Sequence, residues 1–323
     1  MHSLLIIAQE IVEPRNPMST YTREDITFDS HGTGCAAWLY RPADVAATPP
    51  IVVMAHGFAA IRALRLDAYA ARFAEAGYAV LVFDYRGWGD SAGEPRRVLD
   101  IGAQQLDWRA ATAYARNIEG VDTSRVVLWG TSFGGGHALH LASKDHDIAA
   151  VIAQVPHISG PASAFSQPTR LVARLIAAGI WDQLRALAGR QPYRVPAAGY
   201  PGDLAMMTSP DAAPMAIRLA GDRYEELLPE NNVAARIALR VPFYSPGRLA
   251  PRITAPTLVQ IAERDTVTPF EVALKAAKKL AKGEIQTYDC QHFEPYLDPY
   301  FDTVVADQIA FLSTHVPPTP SPA

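Results

Sequence analysis

Residues 125–136 read RVVLWGTSFGGG, so that an apolar run passes directly into a serine with a glycine two residues to either side. Val126 to Trp129 has the length and composition of a strand that is buried on both faces of a sheet. Residues 134–143 have a helical composition, which places Ser132 at a sharp turn between strand and helix. In this context the G-x-S-x-G pattern predicts a nucleophilic serine held above the sheet, beside a helix N-terminus that favours negative charge. The alternative, an incidental serine in a glycine-rich turn, is disfavoured by the flanking strand and helix.

The same alternation of apolar runs and helical segments extends in both directions from this motif. Strands are predicted at 51–55, 78–83, 125–129, 148–154, 257–261 and 284–288, and helices at 67–76, 100–118, 134–143, 270–282 and 300–314. A pair of strands around a turn at residues 30–32 precedes them. Strands that alternate with helices predict a mostly parallel central sheet with helices on both of its faces.

The alternation breaks between residues 159 and 250, where prolines are frequent and no buried strand is evident. Apolar residues recur there at helical spacing, at 171, 175, 176, 180, 184 and 187. We therefore expect a helical cap insertion at 159–250 that covers an apolar pocket, with Met206 and Met207 contributing, although these residues could instead only pack the cap onto the core. The remaining predicted parts are an N-terminal extension at 1–19, a core at 20–158 and 251–316, and a disordered proline-rich tail at 317–323.

Composition and charge favour a globular protein and argue against a nucleic-acid-binding or membrane-spanning protein. A chain of 323 residues that is 49% hydrophobic can bury a core without a disulfide or a metal, and its net charge of -4 gives no basic patch for nucleic acid. No apolar run approaches the roughly 20 residues of a membrane span, and Leu4 to Ala8 lacks the basic flank of a signal peptide. The sequence predicts a cytoplasmic protein without metal or cofactor.

Cys35 and Cys290 are expected to be two free thiols, although a single disulfide between them is conceivable. The oligomeric state is not indicated.

The acid that would act with the serine is expected in a loop that follows a later strand. In folds that carry this motif the partners follow in the order serine, acid, histidine. Asp265 lies just after the strand at 257–261 and meets this requirement. Glu263 is too close to the strand end and Asp289 is too close to the candidate histidine. A purely structural role for Asp265 as a turn or helix-capping residue is the alternative.

The candidate base is His292, between the strand that ends near residue 288 and the last helix. The chain has nine histidines, so position is decisive. His157 also follows a strand, but it precedes Asp265 and therefore has the wrong order. Three others are expected to be helix residues or to lie just past the helix (His137, His140 and His146), and three are peripheral (His2, His31 and His315).

Backbone N–H groups are expected to stabilise the oxyanion that forms when such a serine attacks a carbonyl. One donor is the residue after the nucleophile, Phe133. The other should come from the loop after an early strand, where the sequence His56-Gly57-Phe58 indicates the N–H of Phe58. We interpret His56 as a residue that fixes this loop rather than as a base.

Together these motifs resemble the α/β-hydrolase superfamily. The likeness rests on His56-Gly57-Phe58, the stretch DYRGWGDS at 84–91, the G-x-S-x-G motif, Asp265 and His292. It covers about residues 25–157 and 251–314. The first half is similar to the dienelactone-hydrolase-like and Xaa-Pro-dipeptidyl-peptidase-like branch, which includes esterases and a polyketide acyltransferase or thiohydrolase group. Dienelactone hydrolases use cysteine where this chain has Ser132, and the added binding domain of the peptidases is not visible.

The resemblance implies a serine hydrolase that cleaves a carboxylic ester or thioester of a small molecule through an acyl-enzyme. Ser132 would attack, His292 would shuttle the proton and Asp265 would orient the imidazole. An acyltransferase that passes the acyl group to an alcohol or amine would use the same residues, so the sequence does not separate the two. A peptidase and a non-catalytic binding module are weaker alternatives.

Overall fold

The computed structural model describes residues 20–43, 48–227, 229 and 231–318. The predicted N-terminal extension and residues 319–323 of the predicted tail lie outside this part of the chain. The structure contains an eight-stranded sheet in the order β1-β2-β4-β3-β5-β6-β9-β10. The strands are β1 Tyr21–Ser30, β2 Thr33–Pro42, β3 Pro50–Ala55, β4 Ala79–Phe83, β5 Asp122–Thr131, β6 Ala150–Gln154, β9 Thr257–Ala262 and β10 Gly283–Tyr288. Strand β2 runs antiparallel to both of its neighbours, and the pairings from β4 to β10 are parallel.

Helices cover both faces of this sheet. The helices are α1 Leu66–Glu75, α2 Ile101–Ala115, α3 Phe133–Ala142, α4 Gly160–Phe165, α5 Thr169–Leu187, α6 Ala212–Ala220, α7 Tyr224–Leu227, α8 Phe270–Ala277 and α9 Phe301–His315. Alternate side chains of each strand enter two separate cores, as the pleat requires. In β3, for example, Val53 packs in the core that contains α2, α3 and α8, whereas Val52 packs in the core that contains α1 and α9. The predicted architecture is confirmed.

The parallel strands bring the candidate residues to one edge of the sheet. The loops that follow β3, β5, β9 and β10 carry Phe58, Ser132, Asp265 and His292, respectively. Because these strands are parallel, their carboxyl ends meet at the same edge, which is where ligands bind in open α/β sheets.

The cap-like insertion between β6 and β9 is present and mainly helical. It contains α4 to α7 and several 3₁₀ turns, which are Gly221–Arg223, Ala235–Leu239, Val241–Phe243 and Pro246–Arg252. It also contains a small antiparallel sheet of β7 Arg194–Pro196 and β8 Asn232–Ala234 that the sequence did not predict. Each strand has three residues, which is too short for a periodicity of two to be recognised. Val195 and Val233 are nevertheless buried.

Two smaller expectations are also settled by the structure. Helix α8 ends at Ala277, five residues before the expected end, because the chain turns at Lys278 to Leu280 and enters β10. Cys35 and Cys290 are both buried free thiols, as expected, and burial raises the pKa of each to about 12. Within the described ranges, no helix has both the length and the apolarity needed to cross a membrane.

Candidate active site

Ser132 occupies a strained backbone position between β5 and α3. Its φ angle is 52°, in the left-handed region that residues with a Cβ seldom adopt. The turn is held from both sides, because the N–H of Ser132 donates to the carbonyl of Gln154 at 2.9 Å and its own carbonyl accepts from the N–H of His157 at 2.8 Å. A Cβ atom at Gly134 would lie 2.5 Å from the carbonyl oxygen of His56. Glycine is therefore required there for the helix to approach the loop after β3.

The structure brings Ser132, His292 and Asp265 into one hydrogen-bonded chain. The Nε2 atom of His292 lies 2.9 Å from the hydroxyl oxygen of Ser132, and its Nδ1 atom lies 2.7 Å from a carboxylate oxygen of Asp265. With the Nδ1 proton donated to this carboxylate, the lone pair of Nε2 faces the serine hydroxyl. This is the arrangement in which an imidazole can take the serine proton.

Asp265 is kept ionised by its hydrogen bonds. Its Oδ1 atom accepts from the N–H groups of Val267 and Thr268, both at 2.7 Å. Its Oδ2 atom accepts from the Thr268 hydroxyl at 2.7 Å in addition to the imidazole. Burial raises the pKa of Asp265, but the His292 imidazole and the Thr268 donors more than offset burial, so that the pKa lies below its ordinary value.

Thr268 is a site residue that the sequence reasoning missed. Its hydroxyl and its N–H both bond to Asp265, three residues earlier. An aspartate in a loop that is followed by threonine at this spacing is a turn pattern in which the side chains cap backbone groups. That pattern supported only the structural alternative for Asp265, whereas here the turn holds the carboxylate against the imidazole.

The rival carboxylates do not reach His292. Glu263 accepts a hydrogen bond from the hydroxyl of Thr287 at 2.8 Å. Asp289 is exposed and pairs with Arg264 at 2.8 Å. Among the three acids considered from the sequence, the structure places Asp265 against the imidazole.

His157 lies in the pocket wall but does not bond to the serine hydroxyl. Its Nε2 atom donates to the carbonyl of Tyr244 at 3.2 Å, and its ring stacks on the Tyr244 ring with 5.7 Å between centroids. Burial lowers the pKa of His157 to about 4, so the ring is neutral at pH 7. His137, on α3, bonds to the Tyr244 hydroxyl and to Gln104. These two histidines belong to a buried polar cluster behind Phe133.

The two expected oxyanion donors flank Ser132. Phe133 is the first residue of α3, so its N–H has no acceptor within the helix. The loop after β3 approaches closely, since a Cβ atom at Gly57 would lie 3.0 Å from the Cβ atom of Ser132. The rings of Phe58 and Phe133 pack edge to face with centroids 5.6 Å apart.

His56 and the 84–91 stretch support this loop from behind. Burial lowers the pKa of His56 to about 3, so the ring is neutral, and its Nδ1 atom donates to the carbonyl of Gly57 at 3.1 Å. Arg62 pairs with Asp84 at 2.7 Å and with Asp90 at 2.8 Å. Burial raises the pKa of Asp84 to about 6 despite the opposing charge of Arg62. These contacts are structural and fix the position of the loop.

A mostly apolar pocket opens at Ser132 beneath the cap. Its empty volume is about 830 Å³ with the open mouth included. The residues that line it are Phe58, Ser132, Phe133, His157, Ser163, Ala164, Gln167, Val172, Leu175, Ile176, Met206, Met207, Ala238, Val241, Pro242, Val267 and Thr268. The expected contributions of Met206 and Met207 are therefore present.

Within the described residues there is no cluster of three or more histidine, cysteine, aspartate or glutamate side chains arranged to hold a metal ion.

Comparisons with known proteins agree with the fold. The chain is 44% identical over 298 residues to the quorum-quenching protein AidA of Acinetobacter baumannii strain MDR-ZJ06. The alignment covers 91% of this chain and 95% of AidA. It is 26% identical to the polyketide transferase grgF of a Penicillium species, over 92% of this chain and 98% of that protein. A crystal structure of the α/β-hydrolase GrgF from Penicillium sp. sh18 superimposes with a TM-score of 0.75 at 23% identity, covering 91% of this chain and 98% of that one.

Residues 47–294 match the Hydrolase_4 family model, described as serine aminopeptidase S33. This match spans most of the sheet, the cap and the three hydrogen-bonded side chains. The resemblance found in the sequence is thereby confirmed, and the chain belongs to the Hydrolase_4 family of serine hydrolases within the α/β-hydrolase superfamily.

Proposed function

We propose that this protein hydrolyses a carboxylic ester or thioester of a small molecule through an acyl-enzyme formed on Ser132. The observation that carries the proposal is the continuous hydrogen-bonded chain from Asp265 through His292 to Ser132, which ends at an apolar pocket. A buried serine, histidine and aspartate in this order of contact supply a nucleophile, a base and a group that orients the base.

In the proposed reaction the imidazole of His292 takes the proton of Ser132 while the serine oxygen attacks the acyl carbonyl. The N–H groups of Phe58 and Phe133 donate to the oxyanion that forms. The imidazolium of His292 then protonates the leaving alcohol or thiol. A water molecule, deprotonated by the same imidazole, releases the acid and restores the serine.

The pocket supports an acyl substrate better than a peptide. Its wall is formed mainly by aliphatic, methionine and phenylalanine side chains, which match an acyl chain. An aminopeptidase must hold the charged amino terminus of its substrate, which requires a carboxylate because a buried ammonium is costly when it is unpaired. The described residues that line the pocket include no aspartate, glutamate, lysine or arginine.

The relatives suggest two more specific roles. AidA is a quorum-quenching protein, and a hydrolase that opens an ester bond in a diffusible acyl signal would quench such a signal. Cyclic esters therefore belong among the substrates to test. The relative named a polyketide transferase favours acyl transfer as a second candidate, in which an alcohol or amine replaces water at the acyl-enzyme.

Covalent labelling tests the nucleophile. A fluorophosphonate probe should label Ser132, and Ser132→Ala should abolish the labelling and lower kcat by at least about 10³-fold. Ser163→Ala is the matched control, because Ser163 also lines the pocket but is not bonded to His292. A labelled Ser132→Ala protein, or loss of labelling in Ser163→Ala, would contradict the assignment.

A substrate panel tests the reaction class. Linear esters, thioesters, lactones and aminoacyl anilides of varied chain length would be supplied with and without an acceptor alcohol or amine. Release of free acid from the first three classes supports hydrolysis. Predominant formation of the transferred product would favour the acyltransferase, and preferential cleavage of the anilides would favour the peptidase.

A further inference from the structure

The cap helix α5 turns an apolar face toward solvent. Ile180, Trp181, Leu184 and Leu187 are between 49% and 77% exposed. Ala173 and Ala177, on the same face, are exposed as well. The sequence pattern suggested that the apolar positions of this segment cover a pocket or pack onto the core, which holds for Leu171, Leu175 and Ile176. A continuous exposed apolar stripe of this size on one helix indicates an interaction surface.

The opposite face of α5 is fully occupied, so the helix cannot rotate to bury the stripe. A Cβ atom at Gly179 would lie 3.0 Å from the carbonyl oxygen of Ala235, which shows how closely the helix packs on the 3₁₀ turn Ala235–Leu239. Asp182 is completely buried and bonds to the Arg236 guanidinium at 2.6 Å and 3.0 Å. It also accepts from the N–H groups of Tyr193 and Arg236. Turning the helix would break all of these bonds to a buried charge.

The spacing of the stripe is that of a helix-pairing seam. Ala173, Ala177, Ile180, Leu184 and Leu187 are separated by four, three, four and three residues, which is the a/d spacing of paired helices. The seam is also complementary to itself when a second copy runs antiparallel. Ile180 then faces its own equivalent, the small Ala177 faces Leu184 of the other copy, and Ala173 faces Leu187. A two-fold interface requires this reciprocity, in which large side chains oppose small ones.

The available area is close to what a stable dimer needs. The four large side chains of the stripe expose on the order of 100 Å² each, or about 400 Å² together. A standard interface buries about 800 Å² per partner, of which about 65% is apolar in homodimers. The stripe therefore supplies most of the apolar surface that one partner contributes, and the exposed Ala173 and Ala177 add to it. Polar residues along the two edges of α5 would form the rim.

We propose that a second copy of this chain binds the stripe, with the two α5 helices antiparallel across a two-fold axis near Ile180. A membrane surface is the competing occupant, since Arg170, Arg174 and Arg185 lie along one edge of the helix. The charge of the whole chain, -4, opposes an anionic lipid surface. In addition, Arg174 and Arg185 donate to the carbonyls of Gly202 and Gln191 within their own cap.

Light scattering after size-exclusion chromatography measures the mass directly. At tens of micromolar the wild-type chain should elute with twice the monomer mass of 35.0 kDa. Ile180→Glu should elute as a monomer, because two carboxylates would meet at the axis. Phe243→Glu is the control, since Phe243 is an 87% exposed cap residue outside α5, and it should remain a dimer. Circular dichroism and fluorophosphonate labelling check that each variant is folded.

Mixing two charge variants makes the test specific for the two-fold axis. Ile180→Glu and Ile180→Lys should each be monomeric, and an equimolar mixture should regain the dimer mass. A wild-type monomer at all concentrations would overturn the proposal. Co-sedimentation of that monomer with vesicles of phosphatidylglycerol and phosphatidylcholine would then assign the stripe to lipid. A persistent Ile180→Glu dimer would also overturn the proposal by placing the contact elsewhere.

Discussion

At the scale of single residues, the two oxygens of Asp265 have separate tasks. Oδ1 accepts two backbone N–H groups and closes the turn, whereas Oδ2 accepts from Thr268 and from the imidazole of His292. In Asp265→Asn the amide oxygen can keep the backbone bonds while the NH₂ group faces His292. The imidazole must then accept at Nδ1 and carry its proton on Nε2, where it cannot deprotonate Ser132.

We therefore expect Asp265→Asn to fold normally and to lower kcat by about 10⁴-fold, the size of the effect in serine proteases. Steady-state kinetics on the best ester of the panel, with the thermal midpoint as a check of folding, would measure it. Asp289→Asn is a matched control, because Asp289 lies in the neighbouring loop and pairs with Arg264 at the surface. Near-normal turnover in Asp265→Asn would show that another group orients the imidazole.

At the scale of secondary structure elements, the close approach of α3 to the loop after β3 links stability to the oxyanion donors. A Cβ atom at Gly134 would lie 2.5 Å from the carbonyl oxygen of His56 and 2.8 Å from that of Ala55. Both are backbone atoms of the segment that positions Phe58, so one of the two elements must shift.

Gly134→Ala should therefore lower the free energy of unfolding by about 1–3 kcal/mol, as overpacking does. It should also reduce kcat more than it raises KM, since the donors act mainly on the transition state. Urea unfolding and ester kinetics would measure the two effects. Gly102→Ala, near the start of α2, meets only a side-chain oxygen of the N-cap residue Asp100 at 3.3 Å. It should leave kcat and KM unchanged and should not lower the free energy of unfolding, since alanine is the better helix former. A stable and fully active Gly134→Ala protein would contradict the coupling.

The cap elements are expected to set the length of acyl chain that is accepted. Met207→Trp would fill part of the pocket and should shift the ratio of kcat/KM values toward shorter acyl esters, by roughly 1–3 kcal/mol for each methylene excluded. Ile217→Trp is the control, because Ile217 lies on cap helix α6 outside the pocket wall. An unchanged chain-length profile in Met207→Trp would mean that the acyl group binds elsewhere.

Most elements of the core were predictable from the sequence because the central strands β3, β4, β6 and β9 are short, mainly apolar runs in which every residue is buried. The order serine, acid, histidine also predicted which side chains meet at the sheet edge. The cap was predicted only in outline. Its strands β7 and β8 are too short to show a period, and the outer stripe of α5 has the same composition as a buried face. Composition alone does not tell which side of an apolar helix faces the core.

For the molecule as a whole, buried neutral histidines couple stability to pH. Burial lowers the pKa of His56 to about 3, that of His157 to about 4 and that of His137 well below its ordinary value. In the unfolded chain these groups bind protons near pH 6.5. Below this pH the unfolded state holds more protons than the folded state, so the free energy of unfolding falls as the pH falls. Each such histidine contributes about 1.4 kcal/mol per pH unit.

Asp84 acts in the opposite direction over part of the same range. Burial raises its pKa to about 6, so below that pH the folded state binds a proton that the unfolded carboxyl takes up only near pH 4. From about pH 6 to pH 4, the three fully buried histidines therefore oppose one carboxyl, and the net loss is roughly 3 kcal/mol per pH unit. Burial also lowers the pKa of the partly exposed His140 to about 4, which acts in the same direction as these histidines. A domain with a stability near the low end of the usual range of about 5–15 kcal/mol should therefore unfold between roughly pH 5 and pH 4.

Urea unfolding followed by tryptophan fluorescence between pH 8 and pH 5 would measure this dependence. His157→Gln removes one of the three groups, while its amide can still donate to the carbonyl of Tyr244. The pH dependence of its unfolding free energy below pH 6.5 should therefore be shallower than that of the wild type by about 1.4 kcal/mol per unit, whatever the offset at pH 8. Parallel curves for the two proteins would show that His157 takes up its proton in the folded state. A wild-type curve that is flat from pH 7 to pH 5 would show that the buried histidines together are protonated in the folded state.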